Sequence, residues 1–133
     1  MDFLLNLNLA SMFMLGQAAA QKMMAGRAGG SIIHMSSQMG RIGGPNRSVY
    51  CATKHGLEGL VKASALELAP EGIRVNAVAP TFVDTPLTKP FFEDKAFSDW
   101  VFERMPIQRL ATVGEVAAAV VYLAAPVSAS VTG

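Results

Sequence analysis

The chain has 133 residues, 51% hydrophobic and only 16% charged, with a formal net charge of +1 and one cysteine. An average soluble domain carries about 25% charged residues, so too little charge is available to coat an isolated surface and partner surfaces are expected to cover much of it. No basic excess, Arg/Lys stripe or aromatic platform marks nucleic acid as a partner, and a lone Cys51 excludes an internal disulfide and favours a reducing, cytoplasmic compartment.

Residues 2–25 read as a helix with Asp2 as N-cap and a stop at Gly26. Leu4, Leu5, Leu7, Leu9, Met12, Phe13, Met14 and Leu15 make it apolar, while Asn6, Asn8 and Ser11 interrupt the run. An acidic start argues against a signal peptide. The segment is expected to be a buried helix, too short and polar to span a bilayer, so no membrane is expected as a partner. Next, G-G-S-I-I-H-M-S-S is the Gly-bounded, β-branched run of a buried parallel strand at 31–36. A loop at 37–48, a helix at 49–69 and a second strand at 73–79, ended by Pro80, complete a strand-helix-strand unit. A loop at 80–92 and helices at 93–104 and 113–125 follow. The pattern is α/β.

Tyr50 and Lys54 lie four positions apart on the predicted helix, with Ser37 thirteen positions before the tyrosine. Side chains at i and i+4 share a helix face, so the Lys54 ammonium can lie beside the ring of Tyr50. A free phenol titrates near ~10, and bringing one to neutrality asks about 4 kcal/mol of its surroundings. A desolvated lysine, helped by a second positive charge, is suited to supply that. Ser37 would donate a hydrogen bond to the same substrate oxygen. A lone Y-x-x-x-K arises by chance, but here the groups fall at the carboxyl end of one strand and on the helix after it, where open α/β sheets place ligands.

The ordered motifs D-F-L-L-N-L-N-L, S-I-I-H-M-S-S-Q-M-G, Y-C-A-T-K-H-G, I-R-V-N-A-V-A-P-T-F-V-D-T-P, R-L-A-T-V-G-E-V-A and V-T-G resemble the short-chain dehydrogenase/reductase family over nearly the whole chain. The resemblance implies part of a Rossmann-like doubly wound parallel sheet, NAD or NADP as cofactor, and a catalytic tetrad of Asn8, Ser37, Tyr50 and Lys54. Tyr50 would be the general acid or base, and Lys54 would hold the nicotinamide ribose. Ser37 would orient the substrate oxygen, and Asn8 would support a water that passes protons to Lys54. Pro80, Val83 and Thr85 would form the loop that grips the nicotinamide. Thr81 stands where the family commonly has glycine, and a β-branched residue resists positive φ. The complete protein would be a homodimer or homotetramer.

The glycine-rich turn that receives a pyrophosphate does not occur among the 133 residues, and only two strands are legible. Residues 1–133 are therefore expected to be the C-terminal catalytic portion of one NAD(P)-binding domain, incomplete at both ends and inactive alone. The expected activity is that of an NAD(P)-dependent short-chain alcohol dehydrogenase or ketoreductase, interconverting a secondary alcohol and a ketone. Gln38 and Asn46, with His34 and Arg41 nearby, favour a polyol or sugar acid, with a 3-oxoacyl thioester close behind. A lyase or epimerase on the same scaffold, or a noncatalytic interaction fragment, remains open. His34 and His55 lack partners at ligand spacing, so no metal is expected. The eight methionines suit packing, and Arg109 is expected to pair with Glu115 near a helix start. Phe91, Phe92, Phe97, Trp100 and Phe102 are expected to form a substrate-covering lid.

Overall fold

A computed structural model describes residues 1–133. Helix α1 spans Asp2–Gly26, and its stretch Asn6–Ala10 takes the wider π pitch. Met1, not Asp2, occupies the N-cap, and no side chain caps this end. Asp2 instead sits inside the first turn, where its carboxylate faces the positive end of the helix dipole. After Gly26, Arg27 takes a left-handed conformation, and the chain turns through Gly29 into strand β1, Gly30–Met35. Gly29 has φ +66°, and a Cβ there would stand 2.5 Å from the Gly72 carbonyl oxygen, so only glycine fits.

Helix α2, Ser48–Leu68, carries the chain back to strand β2, Ile73–Val78. The strands pair in parallel, from Gly30 opposite Ile73 to Met35 opposite Val78. Alternation puts Ile32, His34, Ile73 and Val75 on one face of this pair, beneath α1 and α2. Thr53, Lys54, Leu57, Glu58, Val61 and Ala65 form the buried stripe of α2. Ala20, Ile32, Val61, Ala65, Ile73 and Val75 make the core cluster.

Two short helices follow β2: α3, Lys89–Phe92, and α4, Lys95–Phe102. The Asp94 carboxylate caps α4 by accepting from the N–H groups of Ala96 and Phe97. Helix α5, Val113–Ala124, lies on the opposite face of the strands, where Ser31 and Arg74 both donate to the Leu123 carbonyl at the helix's last turn. The single-turn α3 falls inside the span expected to be loop. The remaining elements lie within a few residues of their expected bounds, and helices flank both faces of the parallel pair.

The expectation that α1 is buried is corrected. Of its residues only Ala20 is buried, while Phe3, Leu7, Phe13, Met14 and Leu15 are exposed. Nor is it too short: by length and composition it is long and apolar enough to cross a membrane. Its apolar residues run around the whole circumference, and with only α2 and β1 against one side the rest has no protein to meet. Sixteen of 133 residues are buried, so much apolar surface stays open.

Candidate active site

The two strands end level with each other, and their continuations remain joined. Ser36 N–H donates to the Val78 carbonyl at 2.8 Å, and Gln38 N–H to the Pro80 carbonyl at 3.0 Å. Ser37 therefore emerges beside the loop that begins at Pro80. Its backbone is extended, and its hydroxyl caps a 3-10 turn, Gln38–Gly40, by accepting the Met39 N–H at 3.2 Å. That bond takes a lone pair and leaves the hydroxyl proton free to be donated.

Tyr50 and Lys54 project from the first two turns of α2. The ammonium of Lys54 is 5.8 Å from the Tyr50 ring centroid and donates to the Met35 carbonyl at 2.8 Å. Lys54 is 9% exposed, and burial pushes its ammonium below the ordinary lysine range. An ammonium has three donors, and the Met35 carbonyl takes one. The others are available for hydroxyl oxygens at the strand end. This donor set fits the ribose of a nicotinamide nucleotide.

Asn8 lies in the π turn of α1, a distortion that recurs at functional sites. Its side-chain amide donates to the Thr53 hydroxyl at 3.3 Å, and that hydroxyl donates to the Tyr50 carbonyl at 2.8 Å. Asn8 thus reaches the residue adjoining Lys54 and links α1 to the helix that carries the pair.

Behind the pair lies a buried polar group that no motif announced. Glu58, four positions after Lys54 and 6% exposed, meets Arg41 at 3.6 Å. Its second carboxylate oxygen and the Ser36 hydroxyl are buried without a protein partner. A Cβ on Gly40 would stand 2.9 Å from Glu58 Cγ and 3.0 Å from both Ser36 Oγ and the Lys54 carbonyl. The loop after Ser37 is therefore seated directly against α2. Only the i, i+4 relation of Lys54 and Glu58 gave a sequence signal.

The segment from Pro80 to Thr88 is a knitted loop. Val83 bridges to Ala111, with Asp84 N–H donating to the Ala111 carbonyl at 2.8 Å and Ala111 N–H to the Phe82 carbonyl at 3.1 Å. The Thr88 hydroxyl donates to the Val83 carbonyl and accepts the Thr85 N–H at 3.1 Å. Thr81 is not among the positive-φ residues, which besides glycines are Arg27, Asn46 and Gln108. The loop therefore makes no demand that a β-branch resists.

Between the 37–48 loop and α4 opens a cleft of about 480 Å³, lined by Gln38, Met39, Ile42, Arg47, Phe82, Phe97, Trp100 and Arg104 among others. Its aromatic wall is part of a ring cluster: Phe82 meets Phe92 at 5.2 Å and Phe97 at 5.8 Å, edge to face, and Phe97 stacks on Trp100 at 6.4 Å. Of the four polar residues expected near the substrate, only Gln38 lines this cleft. His34 is buried under α1, 3.5 Å from where a Gly16 Cβ would stand, and burial pushes its imidazole below the ordinary range. Arg41 is engaged with Glu58, and Asn46 is an exposed turn residue with φ +57°. Arg109 does pair with Glu115, donating from both terminal nitrogens at 2.9 and 2.5 Å. Those bonds, with the Thr112 N–H, hold the Glu115 carboxyl down to about 2.

A family model described as Enoyl-(Acyl carrier protein) reductase matches residues 1–133. Nodulation protein G of Rhizobium meliloti (strain 1021) is 39% identical over 132 residues, covering 99% of this chain and 53% of that protein. The 3-oxoacyl-[acyl-carrier-protein] reductase of Vibrio harveyi is 37% identical over 130 residues, covering 98% of this chain and 52% of that protein. Among solved structures, a gluconate 5-dehydrogenase from Burkholderia cenocepacia J2315 in complex with NADP and tartrate aligns with a TM-score of 0.91 at 34% identity, covering 96% of this chain and 50% of that one. The chain thus spans about half the length of the curated relatives it matches.

Proposed function

The chain belongs to the short-chain dehydrogenase/reductase family, and on that premise we propose that it carries the proton-transfer centre of an NAD(P)-dependent oxidoreductase interconverting a secondary alcohol and a ketone. One observation carries this reading: the buried Lys54 ammonium lies beside Tyr50 with donors to spare, at the strand end where Ser37 presents its hydroxyl.

Each residue then has a defined task. Ser37 donates a hydrogen bond to the substrate oxygen and fixes its position. Tyr50 takes the hydroxyl proton on oxidation and returns it on reduction. Lys54 stabilises the negative charge that Tyr50 carries while it lacks its proton, and it holds the ribose. Asn8 braces the first turns of α2 through Thr53 and is proposed to support the water that relays protons to Lys54. Pro80, Val83 and Thr85 form the nicotinamide side of the site, and Gln38 contacts the substrate. A bound nicotinamide supplies the hydride donor or acceptor.

We place a polyol, a sugar acid or a 3-oxoacyl thioester as the substrate class, a choice that relatives of both kinds support. Residues 1–133 serve as the catalytic portion of a single NAD(P)-binding domain, a reading supported by the two-strand sheet and the exposed apolar side of α1. The exposed apolar side of α1 also supports a homodimer or homotetramer of the complete protein. The free thiol of Cys51 fits a cytoplasmic location.

The reading is tested by following nicotinamide absorbance in these residues joined to a cofactor-binding half. A stoichiometric change with substrate consumed is expected. Product formation with no net change would instead identify a lyase or epimerase.

A further inference from the structure

We infer that the cleft beside Ser37 recognises its substrate by an anionic group, a carboxylate or a phosphate monoester on an apolar body, received by Arg47 and Arg104. This rests on the oxidoreductase reading for the position of the reacting carbon, next to Ser37 and Tyr50. Arg47 and Arg104 are the charged residues that line the cleft, and no acidic residue lines it. Arg47 occupies the cap position of α2, three residues before Tyr50. Ion pairs form at Arg41, Lys95, Arg104 and Arg109, which leaves the Arg47 guanidinium unpaired.

Arg104 is held in place. Its guanidinium lies 4.4 Å from the Trp100 ring centroid, and its Nη1 donates to the Trp100 carbonyl at 2.8 Å. Stacking and that bond fix the plane of the fork before any ligand arrives, which reduces the ordering cost of binding. The carboxylate it pairs with is the adjacent Glu103 at 3.6 Å, with both side chains more than half exposed, a contact of small worth. An adjoining hollow shares Gln38, Thr81, Arg104 and Met105 and contains Glu115. That carboxylate is taken by Arg109 and does not neutralise Arg104.

Two guanidinium groups line one apolar cleft with no acid among its walls, so the cleft carries uncompensated positive charge until an anion enters. Their planar forks match carboxylate and phosphate oxygens in a way a lone hydroxyl does not. The remaining lining, with Ile42, Phe82, Phe97 and Trp100, offers contact to methylene groups, whereas the hydroxyls of a neutral polyol would lose water there without partners. The site therefore selects for charge at one end and apolar surface between that charge and the reacting carbon.

Trp100 is the only tryptophan in the chain, so its emission reports on this cleft alone. These residues, joined to a cofactor-binding half that contains no tryptophan, are titrated with 3-hydroxyoctanoate, octyl phosphate and 3-hydroxyoctanamide. At least one anion is expected to bind about tenfold more tightly than the amide, and the tighter anion identifies the group. That preference should fall to about threefold or less in Arg47→Gln and in Arg104→Gln, and it should shrink with added salt in the unaltered chain, which needs no variant to fold. As a second measurement, kcat/KM for acid over amide in a chain completed with a cofactor-binding half should show the same preference. Equal values for acid and amide in both measurements overturn the inference. Tyr50→Phe lowers turnover of acid and amide alike, so its failure to do so would sink the oxidoreductase reading while leaving the charge preference standing.

Discussion

Tyr50 and Lys54 separate two kinds of contribution that a single deletion would blur. Tyr50→Phe keeps a packed ring and removes only the group that moves the proton. In a completed chain it should lose turnover by about 10²–10⁴-fold, the usual weight of a general acid or base, with dinucleotide binding largely kept. Retention of a tenth of the rate, measured under saturating substrate, would count against the role. Lys54→Met removes both a cation beside the ring and donors at the strand end. Weaker dinucleotide affinity is expected together with a pH–rate profile displaced to higher pH, because the charge that favoured the deprotonated partner has gone. An unmoved profile with normal affinity would reduce Lys54 to packing. The trio could be read from sequence because a helix turn and a strand end place its members by local geometry alone. Arg47 and Arg104 carried no such signal: they line one cleft only because α4 faces the 37–48 loop.

Among the elements, α5 illustrates a start written fully in the chain. The Thr112 hydroxyl accepts the Glu115 N–H at 3.2 Å while the Glu115 carboxylate accepts the Thr112 N–H at 2.8 Å, and Arg109 clasps the same carboxylate. Glu115 is held at about 2 from an ordinary 4.5, first by the Arg109 hydrogen bonds and then by Thr112 N–H. A depressed carboxyl binds its proton less readily folded than unfolded. Its support for the helix start is thus complete above pH 4.5 and is lost as pH falls toward 2. Glu115→Gln should flatten that part of the acid unfolding curve of α5, read by amide shifts of Val113 to Val116, and an unchanged curve would show the clasp to be idle. The first helix teaches the opposite lesson. Apolar residues at Leu7, Phe13, Met14 and Leu15 read as burial, but periodicity reports what a helix could cover and says nothing of which neighbours are present to cover it.

For the whole molecule, the proposed catalytic side chains Ser37, Tyr50 and Lys54 lie together at the end of a sheet of two strands. Two strands pair, 16 residues are buried, and large apolar side chains such as Phe3, Leu66 and Ile107 lie open. The 133-residue chain on its own is therefore expected to show no useful NAD(P) affinity and to self-associate. Calorimetric titration with NAD and NADP, beside sedimentation analysis, checks both halves. Micromolar affinity in a monomer would mean that these elements build far more of the binding surface than their contacts indicate.

The near-contact of Gly29 with Gly72 gives the strand pair a fulcrum. At that end Gly30 N–H donates to the Gly72 carbonyl at 3.1 Å and the backbones leave no slack. Any splaying of β1 from β2 must then open like a pair of shears, with its full amplitude at the far tips, where Gln38 N–H rests on the Pro80 carbonyl. Hydrogen exchange should be faster at Gln38 than at Gly30, and the end of the sheet that carries Ser37 becomes the end that breathes.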